Sequence, residues 1–309
     1  MVASINVFDS SRELLSLFFL LWFFPPLLCA RRTSEKIICE TDTDHQRIGV
    51  VEDATKKERY IYTNKVSELQ GVVSLEDPEK LVFEYTRLAF VSLAFLSRAP
   101  RSTLFIGLGP GAMPKYLRKY YPAAEIDIVE IDPDMVNIAK RFFDFKEDER
   151  TKVFITDGRE FIEGRPGKYD MIFLDAYKGG DIPFHLTTIE FLRGVKDHLK
   201  RGGVVVSNIL SPRENKLFHP MGATYSKVFS RVHTFKGRES CNFILVSTKD
   251  ASFRDADEVL CRAEKICSSG RFDIDLSRLI VRHWYPAKYE TNARILSDEV
   301  PQHPARDIF

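Results

Sequence analysis

The chain has 309 residues, which is enough for one large domain or for a domain joined to a smaller module. Its hydrophobic content of 44% and charged content of 29% are ordinary for a soluble globular protein, and its net charge of +1 shows none of the excess of basic residues that is typical of nucleic-acid binding. The 5 cysteines are odd in number and form no CxxC pair, so the sequence predicts neither a disulfide framework nor a metal site.

The first element in chain order is an uncharged apolar run at residues 14–30, LLSLFFLLWFFPPLLCA. A run of this length is close to the minimum for a membrane-spanning helix, and the basic pair Arg31-Arg32 after it favours a cytoplasmic location for the rest of the chain. We therefore expect residues 1–34 to be a hydrophobic leader that anchors the chain to the membrane. The alternatives are an export signal, which would place the protein outside the cytoplasm, and a mis-assigned start codon.

Residues 35–98 are typical of a small β-module followed by a linking helix. Three short segments, KIICETD, RIGVVED and RYIYTN, alternate β-branched or aromatic residues with polar ones, which predicts antiparallel strands. A helix is predicted over residues 77–96, because Pro78 stands near its start and residues such as Leu81 and Tyr85 recur at helical spacing.

Residues 99–250 alternate strands with helices. Five apolar segments are each followed by polar or helical sequence, which indicates a parallel sheet covered on both faces. Two further strands, at 231–237 and 242–249, are predicted to form an antiparallel pair at the edge, and residues 251–309 are predicted to form a helical and irregular extension. The predicted fold class is therefore α/β, a Rossmann-like domain with a mostly parallel sheet behind a small N-terminal antiparallel β-module. The five segments are TLFIGLG, EIDIVEID, KVFITDG, YDMIFLDA and GGVVVSNI.

A Gly-rich loop follows the first of these strands. In an open parallel sheet the ligand binds beyond the carboxyl ends of the strands. The loop GLGPG opens a helix, so Gly107, Gly109 and Gly111 would allow a ligand to approach the backbone closely. The third glycine of the dinucleotide-binding pattern would fall at Ala112, and a tight strand-to-helix turn is an equally good interpretation of this loop.

The second and third strands end in carboxylates. Glu130 ends the second strand, where a carboxylate can accept hydrogen bonds from a ribose, whereas Asp132 before Pro133 is interpreted as a helix cap. Asp157 and Gly158 end the third strand. The Asp157 carboxylate can reach an adenine amino group or simply form a turn, and the sequence favours neither interpretation.

Asp175 directly follows the apolar segment MIFL and is the main catalytic candidate. Because one side of its carboxylate is desolvated, we expect a raised pKa and a role in proton abstraction, with a helix cap or loop acceptor as the alternative. Asp181 follows across two glycines and is expected to swing near Asp175, and two carboxylates together attract a cation. His185 is interpreted as a packed loop residue or a second base, and Asn208 ends the fifth strand.

Together these motifs resemble the spermidine synthase family, the polyamine aminopropyltransferases. IGLGPG, VEIDP, TDG and YDMIFLDA occur in the family's order, within a similarity that runs from about residue 45 to 250. The resemblance implies the class I methyltransferase fold, a homodimer, and transfer of an aminopropyl group from decarboxylated S-adenosylmethionine to a diamine such as putrescine. It also implies that Asp175 is the base, that Asp181 and Tyr177 contact the amine substrate, and that Gln70 contacts the nucleoside.

Two positions depart from the family pattern. Pro110 stands in the Gly-rich loop where the family usually has an Asp that binds the amine end of the donor. The segment after Asp175 reads AYKGGD instead of the shorter Ser-Ser-Asp, and it brings Lys178 toward a site for cations. These departures favour two alternatives, which are methyl transfer from S-adenosylmethionine to a protein or small molecule, and a non-catalytic nucleoside-binding module.

Overall fold

The computed structural model describes residues 34–65, 68–250, 256–270, 272–286, 289–290 and 292–299, and it contains two β-sheets. One sheet is antiparallel and the other is mostly parallel, which confirms the predicted α/β class. The predicted membrane anchor at residues 14–30 lies outside the described residues and stays a prediction. Within the described ranges, no helix is both long enough and apolar enough to cross a bilayer.

The first sheet is the predicted N-terminal antiparallel module. It has one strand more than the three predicted, and the order of its strands follows the chain. One face of the sheet packs Ile48 and Ile61 against Met135 and Phe143, which lie beside the larger sheet. This apolar contact fixes the module over one edge of the larger sheet. The strands are β1 (Glu35–Asp42), β2 (Arg47–Asp53), β3 (Glu58–Thr63) and β4 (Leu69–Ser74).

The helix predicted over residues 77–96 is only partly correct. Helix α1 spans Glu84–Ala89 and continues as a 3-10 helix over Phe90–Phe95. The residues before α1 form turns and irregular structure. The Arg87 guanidinium folds back over them and donates a 3.0 Å hydrogen bond to the carbonyl of Leu81. Pro78 therefore lies outside the helix, and α1 brings its first turn close to the larger sheet.

The second sheet has eight strands in the order β12-β10-β11-β9-β8-β5-β6-β7. Strands β5 to β9 pair in parallel, whereas β11, β10 and β12 join antiparallel at one edge. The parallel core and the antiparallel edge pair confirm the prediction. The strands are β5 (Ser102–Ile106), β6 (Glu125–Glu130), β7 (Thr151–Ile155), β8 (Tyr169–Leu174), β9 (Leu199–Leu210), β10 (Arg231–Lys236), β11 (Asn242–Thr248) and β12 (Trp284–Tyr285).

Helices cover both faces of this sheet. Alternate strand residues point to opposite faces, so Phe105 and Phe173 pack on one side and Leu104 and Ile172 on the other. Helices α1, α2, α3, α7 and α8 cover the first face, and α4, α5 and α6 cover the second. The remaining helices are α2 (Ala112–Tyr120), α3 (Pro133–Phe142), α4 (Gly158–Gly164), α5 (Ile189–Asp197), α6 (Phe218–Val228), α7 (Ala256–Ser268) and α8 (Leu276–His283).

The carboxyl-terminal extension contains a strand that the sequence did not predict. Tyr285 of β12 pairs with Thr234 of β10, so the extension completes the sheet and is not wholly helical and irregular. The strand order reverses at β5, which has β6 on one side and β8 on the other. Such a switch point opens a crevice at the carboxyl ends of the strands, where open α/β sheets bind their ligands.

Candidate active site

Asp175 follows directly after β8, at the switch point. Its backbone N–H donates to the carbonyl of Ile106 at the end of β5, at 2.9 Å. One carboxylate oxygen accepts a 2.8 Å hydrogen bond from the Asn208 amide, and the other faces the Tyr85 hydroxyl at 3.4 Å. Burial raises the pKa of Asp175 to about 6, although the hydrogen bonds from Asn208 and Tyr85 favour the charged form. The burial of Asp175 therefore agrees with the raised pKa that the sequence predicts for it.

The Gly-rich loop passes beside Asp175. Gly107 has a φ of +102°, and a Cβ atom there would overlap the backbone carbonyl of Asp175. Gly111 has a φ of +72° and begins α2 against the ring of Phe145. Gly109 lies between them, with open space where a Cβ would stand. The loop thus needs glycine at its two ends to pack, and leaves room for a ligand at its centre.

Pro110 is buried in this loop and carries no hydrogen-bonding group on its side chain. Its ring packs against Gly71 of β4, where any larger residue would overlap it. Gln70, the neighbour of Gly71, occupies a β-bulge, because the pairing of β3 with β4 shifts by one residue between Gly71 and Leu69. The Gln70 amide donates to the Thr63 hydroxyl at 3.1 Å. The module therefore approaches the loop at Pro110, with Gln70 beside that contact.

Glu130 ends β6 and lies against the Gly-rich loop. Its two carboxylate oxygens accept hydrogen bonds from the backbone N–H groups of Leu108 and Asp132, each at 3.0 Å. Burial raises the pKa of Glu130 in spite of these hydrogen bonds. Asp132 accepts from the backbone N–H of Asp134 at 3.0 Å and begins α3, which confirms its prediction as a helix cap.

Asp157 serves as the cap of helix α4. One carboxylate oxygen accepts from the backbone N–H of Arg159 at 2.7 Å, and the other lies 2.8 Å from Nε2 of His185. Burial alone would raise the pKa of Asp157, but the hydrogen bonds from His185 and Arg159 outweigh it and lower that pKa. Gly158 begins α4 and packs against Ile106. Contact of Asp157 with an adenine stays a prediction.

The loop after Asp175 forms a tight two-residue turn. Gly179 and Gly180 have φ values of +60° and +87°, and the backbones of Lys178 and Asp181 bond to each other across them. Asp181 is therefore fixed opposite Lys178, on an exposed hairpin. Tyr177 donates a 2.9 Å hydrogen bond to the carbonyl of Asn208. Burial raises the pKa of Tyr177, and the charges of the Asp175 and Asp181 carboxylates raise it further.

Two residues of the site were not predicted from the sequence. Tyr85 was assigned only to a helix face, although its hydroxyl reaches Asp175. Asn242, at the start of β11, donates a 2.8 Å hydrogen bond to the amide oxygen of Asn208. A polar group at an apolar helical position was the only signal for Tyr85, and the sequence carries no signal for Asn242. Beside Asn208 lies a small cavity with mainly apolar walls, lined in part by Ile106, Leu174, Ala176 and Met221.

The fold and the site together define a Rossmann-like transferase of the class I methyltransferase type. The chain matches the family model for the spermine/spermidine synthase domain over residues 82–236. A polyamine aminopropyltransferase of Vibrio vulnificus is 36% identical over 245 residues, which cover 77% of this chain and 81% of that protein. A probable polyamine aminopropyl transferase of Bifidobacterium longum is 33% identical over 169 residues, which cover 54% of this chain and 37% of that protein. The chain belongs to the spermine/spermidine synthase family.

Solved structures agree on the fold. A probable spermidine synthase from Corynebacterium glutamicum superposes with a TM-score of 0.65 at 23% identity, over 87% of this chain and 99% of that one. Human methyltransferase-like protein 13 in complex with SAH superposes with a TM-score of 0.56 at 26% identity, over 68% of this chain and 97% of that one. Aminopropyltransferases and methyltransferases therefore both share this architecture.

Proposed function

We propose that this transferase moves an aminopropyl group from decarboxylated S-adenosylmethionine to a diamine such as putrescine, and releases methylthioadenosine. The observation that carries the proposal is Asp175, whose pKa is raised to about 6 and whose partners among the described residues are an amide and a phenol. A carboxylate with no paired cation can accept a proton from an ammonium near neutral pH. Membership in the spermine/spermidine synthase family supports the same reaction.

The chemistry needs one base and no oxidant or reductant. The acceptor is a primary ammonium, which becomes a nucleophile only after it gives one proton to Asp175. Its nitrogen then attacks the propyl carbon next to the sulfonium, and the breaking carbon–sulfur bond leaves its electron pair on sulfur. The products are a neutral thioether and a secondary ammonium. The expectation that no metal takes part stays a prediction.

The donor nucleoside is proposed to bind along the ends of β5, β6 and β7. Glu130 is held by two backbone N–H groups, which supports its role as an acceptor for ribose hydroxyls. Ile131 and Ile155 expose 44% and 50% of their surface just after β6 and at the end of β7. Exposed isoleucines beside Asp157 would supply apolar contacts for an adenine, and Gln70 is positioned on the module side of the loop.

The acceptor is proposed to bind between Asp175 and the hairpin that carries Asp181. Tyr177 lies in the loop between the two aspartates and donates to the carbonyl of Asn208, whose amide binds Asp175, which supports a contact between Tyr177 and an amine bound there. The mainly apolar cavity beside Asn208 has a volume of about 20 Å³, which is enough for one methylene-sized group of the acceptor. A homodimer, the absence of nucleic-acid partners and the membrane anchor stay predictions from the sequence.

Methyl transfer from S-adenosylmethionine is a second candidate, and Pro110 is the observation that favours it. The buried proline ring occupies the contact with Gly71 and offers no carboxylate to an aminopropyl group. A mouse eEF1A lysine and N-terminal methyltransferase is 31% identical over 150 residues, which cover 43% of this chain and 22% of that protein. The same nucleoside site would serve either reaction.

A paired titration separates the two candidates. Calorimetry with decarboxylated and with ordinary S-adenosylmethionine is expected to give at least about tenfold tighter binding of the decarboxylated donor, because one carboxylate fewer enters an acidic site. Incubation with the decarboxylated donor and putrescine is expected to release methylthioadenosine. Preference for the ordinary donor, together with no release of methylthioadenosine, would contradict aminopropyl transfer and support methyl transfer.

A further inference from the structure

The Asn208 side chain lies between Asp175 and a second asparagine, Asn242. Its amide nitrogen donates to Asp175 and its amide oxygen accepts from the Asn242 amide, each at 2.8 Å. Asn208 is buried, with 7% of its surface exposed, so water does not compete for these bonds. An ionised carboxylate can only accept hydrogen bonds, so the Asn208 amide stabilises ionised Asp175 only when it presents its nitrogen to it.

We propose that Asn242 is a positioning residue for the proton transfer, because it turns the donor end of the Asn208 amide toward Asp175. This inference rests on the proposed role of Asp175 as the base. With Asn242 in place, one oxygen of Asp175 is held by Asn208 and the other is left for the acceptor amine and Tyr85. Without it, the Asn208 amide is free to present its oxygen to Asp175, which stabilises the protonated acid and not the carboxylate.

A buried carboxylate anchors the turn that leads into Asn242. Glu84, with 7% of its surface exposed, accepts hydrogen bonds from the backbone N–H groups of Arg238 and Glu239 at 2.9 and 2.8 Å. These residues form the turn between β10 and β11, directly before Asn242. Glu84 is also the neighbour of Tyr85. Glu84 is thus connected to both oxygens of Asp175. One connection runs through its neighbour Tyr85, and the other runs through the β10–β11 turn, Asn242 and Asn208.

The ionisation of Asp175 can be measured because the groups around it do not titrate in the same pH range. Among the described residues, the titratable side chain in contact with it is Tyr85 from α1, while Tyr177 from its own loop is affected by the charges of both Asp175 and Asp181. The loop after β5 presents the backbone of Gly107, and β9 and β11 present amides that do not titrate. Burial raises the pKa of both phenols above their usual value, so they stay neutral while Asp175 titrates.

The substitution Asn242→Asp tests the inference, because it replaces the amide donor by an acceptor of the same shape. Asn208 would then turn its nitrogen to the new carboxylate and its oxygen to Asp175. We expect the acidic midpoint of kcat/KM for methylthioadenosine release to move up by about one pH unit, with activity roughly fivefold lower at about pH 6 and close to the wild type at about pH 9. Asn242→Ala, which only removes the donor, should move the midpoint less.

The control is Cys241→Asp. Cys241 is exposed and precedes Asn242, so the variant adds the same charge to the hairpin without a direct contact to Asn208. Its midpoint is expected to stay within about 0.3 pH unit of the wild type, since an exposed charge is screened. An equal shift in the control would show that charge alone acts, and would overturn the inference.

A second readout does not need activity. In protein labelled with carboxyl carbon-13 aspartate, the Asp175 signal is identified by its absence from Asp175→Asn and followed through a pH titration. Its midpoint should rise in Asn242→Asp even if the wild type releases no methylthioadenosine, in which case only the proposed function fails. If the carbon-13 midpoint does not move, the inference is wrong, whether or not the wild type is active. If Asn242→Asp does not fold, the Asp175 midpoint is compared between Asn242→Ala and the wild type instead, with a smaller upward shift expected.

Discussion

Strand β8 has an aspartate at each end, and the two carboxylates behave in opposite ways. Asp170, at the amino end, is buried and accepts hydrogen bonds at about 3 Å from the backbone N–H groups of Arg101 and Ser102 and from the Lys200 ammonium. Asp175, at the carboxyl end, meets only an amide and a phenol among the described residues. The two side chains are about 16 Å apart along the strand.

The difference shows what separates a structural carboxylate from the one proposed to be the base. Burial acts on both groups, but backbone N–H groups and Lys200 outweigh it at Asp170 and lower its pKa. At Asp175 burial prevails and raises the pKa to about 6. The amino edge of the sheet therefore stabilises the fold with its charge, whereas the carboxyl edge keeps a carboxylate that has an affinity for protons near neutral pH.

The largest effect is expected for Asp175→Asn. Loss of the base should lower kcat by about a thousandfold. The same variant should be more stable at about pH 8 by about 2 kcal/mol, which is less than the ~3 kcal/mol equivalent to a shift from 3.8 to about 6, because Asp175 is only partly buried. The gain should be absent below about pH 3.8 and complete above about pH 6, as measured by urea unfolding. A variant with near-normal kcat would show that Asp175 is not the base.

Asp170→Asn is expected to do the reverse. It removes a negative charge from beside Lys200 and from two backbone donors, and should lower the unfolding free energy by about 2 to 3 kcal/mol. Because the folded-state pKa of Asp170 is lowered, this loss should be complete above about pH 4 and should vanish as the pH falls through that pKa. Folded protein should keep kcat within about threefold, since the change is about 16 Å from the site. A loss of kcat with unchanged stability would contradict the assignment of Asp170 to the fold and not to the reaction.

Most of the fold was predictable because the parallel strands are uniformly apolar and alternate with helical patterns. The β8 segment YDMIFL and its neighbours follow this rule closely. The helix over residues 77–96 was predicted too long, since spacing alone does not show that Arg87 folds back onto Leu81. β12 was missed because two residues, Trp284 and Tyr285, carry too little periodicity to indicate a strand.

The site was predictable where it depends on strand ends. Glu130 and Asp175 were located by the rule that ligands bind beyond the carboxyl ends of parallel strands. Tyr85 and Asn242 were not, because they come from α1 and from the antiparallel edge, whose contacts with Asp175 and Asn208 depend on tertiary packing. Asp181 was predicted near Asp175, but the sequence could not show the turn that fixes it opposite Lys178.

The smallest effect is expected for Tyr85→Phe. The Tyr85 hydroxyl faces Asp175 at 3.4 Å and favours its charged form less than Asn208 does. Its loss should raise the acidic midpoint of kcat/KM by up to about half a pH unit, while kcat/KM at about pH 8 stays within roughly threefold of the wild type.

Tyr169→Phe is the matched control at the amino end of β8, since it removes a 2.8 Å hydrogen bond from a phenol to the Asp127 carboxylate. The control should lower stability by about 1 kcal/mol and leave the midpoint unchanged, because no part of that contact reaches Asp175. A loss of activity in Tyr85→Phe that is equal at every pH would mean that the hydroxyl acts on the substrate and not through Asp175.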